Sequence, residues 1–252
     1  MTKGKIIVIE GTDCSFKETN SKRLYEYIKE NITEKVKLFS FPNYERQSSY
    51  FVKKYLSGSY GNPVLQNPYT ASICFAVDRL DWLYSYDIMN LYNEGYILII
   101  DRYVGSNIIH QCCKLNSVSE MEEYIQWLQK LEYEHNKIPK EDICITLGLN
   151  YKYHHIILSN RENKSVENDG HEKDNEYQRK LCDEIVPYIS NYMNWEYIDC
   201  YNNSEDRIKT KNEIFAKTLE NQFDLDFSRY LNTIVNNIED EIICKQFKLK
   251  IA

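Results

Sequence analysis

Residues 5–19, Lys-Ile-Ile-Val-Ile-Glu-Gly-Thr-Asp-Cys-Ser-Phe-Lys-Glu-Thr, decide the fold of this 252-residue chain. The run at 5–9 is apolar and β-branched after its first residue, which is typical of a strand buried on both faces of a parallel sheet. A short polar stretch follows and leads into residues 17–30, whose apolar side chains are spaced to share one helix face. A strand, a tight polar turn and a helix therefore open the chain.

The same alternation of short apolar strands and amphipathic helices continues along the chain. Short buried strands separated by helices predict an α/β fold of three layers, with a parallel five-stranded sheet and helices on both faces. In such sheets, ligands bind beyond the carboxyl ends of the strands. Three polar clusters, at 11–19, 41–44 and 101–103, follow predicted strands and mark a candidate cleft. The further strands are predicted at 36–41, 96–100, 142–149 and 196–200, and the further helices at 50–56, 70–92 and in a region that ends at 131.

Composition restricts the class of protein. Hydrophobic residues make up 42% of the chain, which is enough for one sizeable core, and the formal net charge is −7. An acidic balance disfavours a surface that follows a nucleic-acid backbone. The sequence holds neither a long apolar run nor a signal peptide, and none of its eight cysteines forms a CxxC pair. We expect a soluble, cytoplasmic protein that binds neither nucleic acid nor membranes.

The turn between Gly11 and Thr19 has the setting of a Walker A phosphate loop, or P-loop. A P-loop holds phosphate in a ring of backbone N–H groups at a helix N-terminus, with a lysine reaching the outer phosphates. Gly11 and Lys17 stand in the register of that motif, but Phe16 replaces its second glycine and Glu18 replaces the residue that binds Mg²⁺. The Cβ of Phe16 strains the loop if the backbone needs a glycine-like angle, and the Glu18 carboxylate either repels phosphate or approaches a metal. An ordinary strand-to-helix turn with an incidental lysine is the alternative for this loop alone.

Four segments together resemble the thymidylate kinase family, in particular a divergent bacterial branch of it, over about residues 3–200. The resemblance implies a P-loop NTPase-like fold and a kinase that transfers phosphate from ATP to dTMP or a related nucleoside monophosphate with Mg²⁺. It also implies a homodimer. The segments that carry the resemblance are Glu10-Gly11-Thr12-Asp13 at the start of the loop, Phe41-Pro42-Asn43-Tyr44, Phe75-Ala76-Val77-Asp78-Arg79 as a helical Phe-x-x-x-Arg element, and Asp101-Arg102-Tyr103.

The resemblance assigns residues to each part of the site. For the phosphates of ATP they are Gly11, Cys14, Ser15, Phe16, Lys17, Glu18 and Thr19. For the acceptor nucleotide they are Asp13, Phe41, Pro42, Tyr44, Phe75, Arg79, Arg102, Ser106, Asn107 and Gln111. For catalysis they are Lys17, Asp101, Arg102 and Arg161, and for Mg²⁺ they are Thr19 and Asp101, directly or through water.

The chemistry of these residue types fits such a site. Arginines hold phosphate through bidentate hydrogen bonds, an aspartate at a strand end orders Mg²⁺ through water, and Asp13 can accept a hydrogen bond from a sugar hydroxyl. A phenylalanine offers a flat apolar face to a base. The structural alternatives are that Arg79 pairs with Asp78 or Asp81 on a solvated helix, that Asp101 and Arg102 form a structural ion pair, and that Phe75 belongs to the core.

Two segments lie outside these motifs. Residues 159–175 are strongly polar and are expected to form a lid, in which Arg161 is the candidate lid arginine. Within them, residues 171–174 are similar to an acidic patch that closes the family's lid, or alternatively form a solvated turn. Residues 202–252 carry apolar side chains spaced by three or four and are expected to form a helical extension packed on the P-loop domain of residues 1–201.

Three functions stay open on the sequence alone. The first is an active nucleoside monophosphate kinase. The second is a catalytically impaired pseudokinase that serves as a nucleotide sensor or interaction partner, because Phe16 and Glu18 depart from the motif. The third is a P-loop-like kinase of another small metabolite, because pocket shape rather than the phosphate machinery sets the choice of acceptor.

Overall fold

The structure, a computed structural model, describes residues 3–159, 170–172, 174–202, 207–209 and 211–220. Its central sheet consists of β1 (Lys5–Gly11), β2 (Val36–Ser40), β3 (Ile97–Asp101), β4 (Ile143–Gly148) and β5 (Glu196–Asp199). All neighbouring strands are parallel, in the order β2-β3-β1-β4-β5. The predicted fold class, with its five-stranded parallel sheet, is confirmed.

Helices cover both faces of the sheet, as the burial of β1 shows. Ile6 and Val8 belong to the apolar cluster on one face, and Ile7 and Ile9 to the cluster on the other, because successive side chains of a strand point to opposite faces. The helices are α1 (Lys17–Asn31), α2 (Tyr50–Leu56), α3 (Pro68–Ser85), α4 (Ile88–Asn93), α5 (Val104–Cys112), α6 (Val118–Gln129), α7 (Tyr151–Ser159), α8 (Asn175–Lys180), α9 (Val186–Tyr192) and α10 (Lys211–Glu220), with π-helical turns at Lys130–His135 and Leu181–Ile185.

The prediction of a single helix at 70–92 is wrong, because the chain forms two helices there, α3 and α4. α3 ends at Ser85 and is capped by Tyr86, whose N–H donates to the Trp82 carbonyl. Asp87 then takes the left-handed conformation, with φ 49° and ψ 48°, before α4 begins. Aspartate is one of the few residue types that visit this region as single residues, so a local polar side chain interrupts a pattern that otherwise reads as continuous.

The sheet register brings the polar clusters together at the carboxyl edge. Ile9 of β1 pairs with Asp101 of β3, and the Arg102 N–H donates to the Ile9 carbonyl at 3.0 Å. The Phe41 N–H donates to the Asp101 carbonyl at 3.0 Å. The loop after β1, the segment after β2 and the segment after β3 therefore meet at one end of the sheet.

The described part of the C-terminal segment packs against α1. Asn20 Nδ2 donates to Thr218 Oγ1 of α10 at 2.8 Å, and the Phe215 ring makes an edge contact with Tyr27 at 6.3 Å between centroids. A short antiparallel ribbon, β6 (Tyr201–Asn202) and β7 (Arg207–Ile208), precedes α10. The domain division at residue 201 stays a prediction, and residues 221–252 lie outside the described residues.

The described helices include none with the length and apolar character that a membrane crossing requires.

Candidate functional site

A cleft of about 900 Å³ opens at the carboxyl edge of the sheet. Every site residue predicted from the sequence lines it, apart from Gly11 and Arg161. Arg161 lies outside the described residues. Gly11 ends β1 with φ 139°, and a Cβ there would lie 2.1 Å from the Leu147 carbonyl oxygen, so the close approach of β4 requires glycine.

The loop between β1 and α1 has the curvature of a P-loop. Cys14 (φ 61°) and Phe16 (φ 65°) are left-handed on either side of Ser15. Such alternation turns successive N–H groups toward one concave side, which is the geometry of an anion-binding nest. The Ser15 hydroxyl donates to the Thr12 carbonyl at 2.8 Å and closes the turn.

Phe16 occupies a backbone position that favours glycine. It precedes the first residue of α1 with φ 65° and ψ 20°, a conformation that costs a residue with a Cβ about 1–2 kcal/mol. Its partly buried ring packs against the apolar cluster that contains Ile7 and Ile9. The ring therefore compensates part of the backbone strain, and the loop keeps its shape without the second glycine.

Lys17 reaches across the loop and does not point away from it. Its Nζ donates to the Thr12 carbonyl, and the side chain is buried. Burial and the Arg102 guanidinium lower the pKa of Lys17 to about 8, while Asp13 and Asp101 oppose that shift. The ammonium group thus lies among the groups that would surround a bound phosphate.

Glu18 lies in the first turn of α1, at the wall of the cleft. Its carboxylate forms an ion pair with Lys22 Nζ at 2.6 Å, and both side chains are more than half exposed. The repulsion of phosphate that the sequence suggests is therefore weakened, because the Lys22 ammonium group partly neutralises the carboxylate. Thr19, in the first turn of α1, lines the cleft.

Asp13, Asp101 and Arg102 form the acidic and basic centre of the cleft. Arg102 Nη2 donates to Asp13 Oδ1, and the two side chains form an ion pair. The structural alternative, in which Arg102 pairs with Asp101, is therefore wrong. Burial would raise the pKa of Asp13, but Arg102, His110 and Lys17 hold it below its usual range. Burial raises the pKa of Asp101, whose Oδ1 has no hydrogen-bond partner among the described residues.

Arg79 lies in a buried ion pair that the sequence did not predict. Its Nε donates to Glu132 Oε1 at 3.1 Å, its Nη2 donates to the same oxygen, and both side chains are at most 2% exposed. The expected alternatives are wrong: Asp78 accepts from the Asn43 N–H and the Ser48 hydroxyl, and Asp81 pairs with Arg46. The only sequence signal for Glu132 is a carboxylate between the apolar residues Leu131 and Tyr133.

The cleft-facing side of α5 presents polar side chains with different partners. The Ser106 hydroxyl donates to Glu10 Oε2, which ties this predicted acceptor residue to β1. Asn107 Nδ2 is buried without a partner, and both amide atoms of Gln111 are buried without one among the described residues. Such groups are costly unless a ligand or water satisfies them. The Gln111 amide offers one donor and one acceptor to the edge of a base.

Two cleft residues of interest were missed in the sequence. His110 and His171 both line the cleft, with ring centroids 5.7 Å apart. His110 follows Ser106 by four residues on α5 and so shares its face, a spacing that was available in the sequence. His171 was interpreted only as part of an acidic patch or a solvated turn; it is buried, with Glu172 beside it on the cleft wall.

The residues present fit Mg²⁺ held in the manner of phosphate-transfer sites. No group of three or more His, Cys, Asp or Glu side chains converges as a metal cage in the described ranges. Mg²⁺ commonly binds through one or two carboxylates, water and the substrate phosphates. The unpartnered oxygen of Asp101, next to Lys17 at the loop, is suited to that role.

Comparison with known proteins gives a consistent result. The family model of thymidylate kinase matches residues 9–185, which is more than half of the chain. The thymidylate kinase of Plasmodium falciparum is 37% identical over 116 residues, which are 45% of this chain and 51% of that protein. The alignment thus spans about half the length of this curated relative.

Two solved structures share the fold. The thymidylate kinase of Candida albicans superposes with a TM-score of 0.62 and 21% identity, over 86% of this chain and 90% of that one. The thymidylate kinase of Ehrlichia chaffeensis superposes with a TM-score of 0.57 and 16% identity, over 87% of this chain and 98% of that one.

Proposed function

Because the chain belongs to the thymidylate kinase family, we propose that it transfers the γ-phosphate of ATP to dTMP or a related nucleoside monophosphate. One observation carries the proposal: a single cleft joins the P-loop, with Lys17 folded across it, to the polar face of α5. The donor phosphates bind at the loop, and the acceptor lies against α5 and α3. Arg102 lines the same cleft and is paired with Asp13 of the loop.

On the donor side, the N–H groups of residues 14–17 and the dipole of α1 bind the phosphates. Lys17 exchanges its bond with the Thr12 carbonyl for one with a phosphate oxygen. Asp101 and Thr19 would hold Mg²⁺, which supplies positive charge to the phosphate oxygens. Lys17 and Arg102 neutralise the charge that spreads over the transferring group. Arg161 is proposed to contribute from the lid.

On the acceptor side, Gln111 reads the edge of the base and Phe75 provides an apolar face, with Phe41, Pro42 and Tyr44 closing the wall. Asp13 accepts a hydrogen bond from the sugar. Arg102 faces the acceptor phosphate. Arg79 supports this side from behind, since Glu132 already engages two of its nitrogens and the Tyr103 carbonyl lies 3.4 Å from Nη1.

The alternative of a pseudokinase has no support from the family comparison, and its two sequence arguments weaken in the structure. Phe16 adopts the left-handed angle that a P-loop glycine would adopt. The Glu18 carboxylate is paired with Lys22. Neither replacement straightens the loop or removes Lys17 from it.

The test is turnover of purified protein with Mg-ATP and a panel of deoxynucleoside and ribonucleoside monophosphates. Lys17→Met is expected to lower kcat by at least about 100-fold, because it removes a charge that acts on the transferring group. Lys29→Met, at an exposed lysine in the last turn of the same helix, is the matched control, and we expect near-parental turnover. Conversion of no panel member, or full turnover in Lys17→Met, would contradict the proposal.

The homodimer, the cytoplasmic location and the bacterial branch are proposed from the family resemblance alone. Sedimentation equilibrium of the purified chain tests the first. A monomer at all accessible concentrations would contradict it.

A further inference from the structure

Glu10 is a buried carboxylate near the end of β1 that the proposed mechanism does not use. Its Oε1 accepts a hydrogen bond from the Tyr103 N–H at 2.7 Å, and its Oε2 accepts one from the Ser106 hydroxyl. Tyr103 is the N-terminal cap of α5, and its own side chain makes no capping bond. Glu10 therefore caps α5 from a neighbouring strand, at the end of the helix where the dipole favours a negative charge.

Arg102 lies between β3 and this cap in an unusual backbone conformation. Its φ is 64°, in the left-handed region that a residue with a long side chain rarely adopts. Leu98 and Ile100 of β3 point into one apolar cluster, and strand alternation would direct residue 102 there as well. Tyr103 enters that cluster instead, and the Arg102 guanidinium pairs with Asp13 of the P-loop. The left-handed turn at residue 102 thus directs the guanidinium into the cleft.

The turn at Arg102 is held at both ends by β1. A left-handed residue with a side chain persists only where its surroundings fix it. The Arg102 N–H donates to the Ile9 carbonyl at 3.0 Å, and the bond from the Tyr103 N–H to Glu10 fixes the next peptide. Gly105 leaves room for the carboxylate, because a Cβ there would lie 2.9 Å from Glu10 Oε1. Ile9 therefore holds the turn through its backbone, and Glu10 holds it through its side chain.

Glu10 also acts on Arg102 through its charge. Burial lowers the pKa of Arg102, but Asp13, Asp101 and Glu10 together raise it above its usual value, and Glu10 contributes the least of the three. The direct ion pair of Arg102 is with Asp13. The reach of the Glu10 hydrogen bonds and the charge of its carboxylate are therefore two separate contributions, which substitutions can distinguish.

We propose that Glu10 is a positioning residue that holds Arg102 in its left-handed conformation and so keeps the guanidinium directed at the P-loop. Glu10 is not among the described residues that line the cleft, so it acts through its hydrogen bonds with Tyr103 and Ser106. The inference rests on the proposed kinase function, in which Arg102 neutralises charge on the transferring group. Displacement of such a group by about 1 Å can slow a reaction about 100-fold, although no residue that binds substrate is removed.

Three substitutions separate the reach of Glu10 from its charge. Glu10→Gln keeps an oxygen for the Tyr103 N–H and gains an amide that can donate to the Ser106 oxygen, so kcat/KM for the acceptor should stay close to that of the parent. Glu10→Asp keeps the charge but is one methylene too short for both partners, and Glu10→Met keeps the length but has no oxygen. Both should lower kcat/KM for the acceptor about 10- to 100-fold, with the KM for ATP nearly unchanged.

The comparison of Glu10→Gln with Glu10→Asp decides the outcome even if Glu10→Met does not fold. A loss of kcat/KM in Glu10→Gln as large as that in Glu10→Asp would overturn the inference, because the charge would then be the property that matters. Parental kcat/KM in Glu10→Asp or in folded Glu10→Met would also overturn it.

A double-mutant cycle distinguishes positioning from a general effect on folding. On the residual turnover of Arg102→Met, Glu10→Asp should cause no further loss, because it acts only through the guanidinium. Asp142→Ala is the matched structural control: Asp142 Oδ2 accepts the Ile6 N–H of β1 at 2.8 Å, and Asp142 does not line the cleft. This variant should unfold at lower urea with kcat/KM unchanged. Additive losses in the double mutant, or a loss of kcat/KM in Asp142→Ala equal to that in Glu10→Asp, would overturn the inference.

Hydrogen exchange measured without turnover separates this inference from the proposed function. In protein with ¹⁵N-labelled arginine, the Nε–H signal of Arg102, assigned by its loss in Arg102→Met, should exchange slowly with water. Exchange should be at least about tenfold faster in Glu10→Asp and near-parental in Glu10→Gln and Asp142→Ala. Equal exchange in the parent and Glu10→Asp would overturn the inference at any level of turnover. The expected pattern of exchange in a protein without kinase activity would uphold the inference about the position of Arg102 and overturn only the kinase proposal.

Discussion

Replacing Phe16 by glycine and by alanine tests whether the P-loop backbone needs a left-handed residue. Both variants lose the same ring and differ by one Cβ. At φ 65° that Cβ costs about 1–2 kcal/mol, and the larger freedom of unfolded glycine offsets about 0.4–1 kcal/mol. We expect Phe16→Gly to be more stable than Phe16→Ala, by up to about 1.6 kcal/mol.

The loss of the ring sets the second magnitude. Full burial of a phenylalanine stabilises a protein by about 1.5–3 kcal/mol, and Phe16 is only partly buried against its apolar cluster. We therefore expect Phe16→Ala to unfold about 1–2 kcal/mol more easily than the parent. Phe16→Gly should lie between the two.

Urea unfolding at 25 °C, with the slope unchanged among the three proteins, measures both differences. Which of the two variants has the larger free energy of unfolding shows whether residue 16 is left-handed. In an ordinary right-handed conformation, Phe16→Gly would be less stable than Phe16→Ala by about 0.5–1 kcal/mol. Alanine equal to or more stable than glycine would refute the left-handed loop. Calorimetry with Mg-ATP extends the test: since the loop is already curved, Phe16→Gly should change the affinity less than about tenfold.

Three further results are expected. Glu132→Gln should raise the acceptor KM more than the ATP KM, because it leaves the buried Arg79 without its counter-charge; steady-state kinetics with each substrate varied measures both constants. Asp101→Asn should weaken Mg²⁺-dependent ATP binding and leave metal-free binding nearly unchanged, which calorimetry with and without EDTA resolves. Burial lowers the pKa of Lys114 to about 7, so above that pH the unfolded chain binds more protons than the folded one, and the free energy of unfolding should rise from pH about 7 to about 8.5. The urea midpoint should rise less over this range in Lys114→Met than in the parent. Equal rises in the two proteins would contradict the lowered pKa of Lys114.

The elements of the sheet could be predicted from the sequence because their signals are local. The β-branched run of β1 and the polar residues that follow it specify a buried strand and a loop at its carboxyl end. The register then follows from parallel packing, which places Asp101 beside Ile9. The break at Asp87 was missed, since one left-handed residue changes neither composition nor periodicity.

The partners within the site could not be predicted, because they come from distant parts of the chain. Arg79 and Glu132 are separated by 53 positions, and His110 and Tyr177 by 67. No local pattern encodes such pairs. They form because the fold buries a charge or a ring nitrogen that must then be satisfied by whatever group the neighbouring helix presents.

The contact between Asn20 and Thr218 spans 198 positions and gives the assembly of the molecule a definite order. α1, which begins at the P-loop, leaves the ribosome early. The surface of α1 that packs against α10 is covered only after nearly nine-tenths of the 252 residues have been made. Until then a nascent chain exposes that surface to solvent and to chaperones. A truncated product that ends before α10 would leave the same surface of α1 exposed permanently. Contacts of such large sequence separation also slow folding, because a long loop must close before they form.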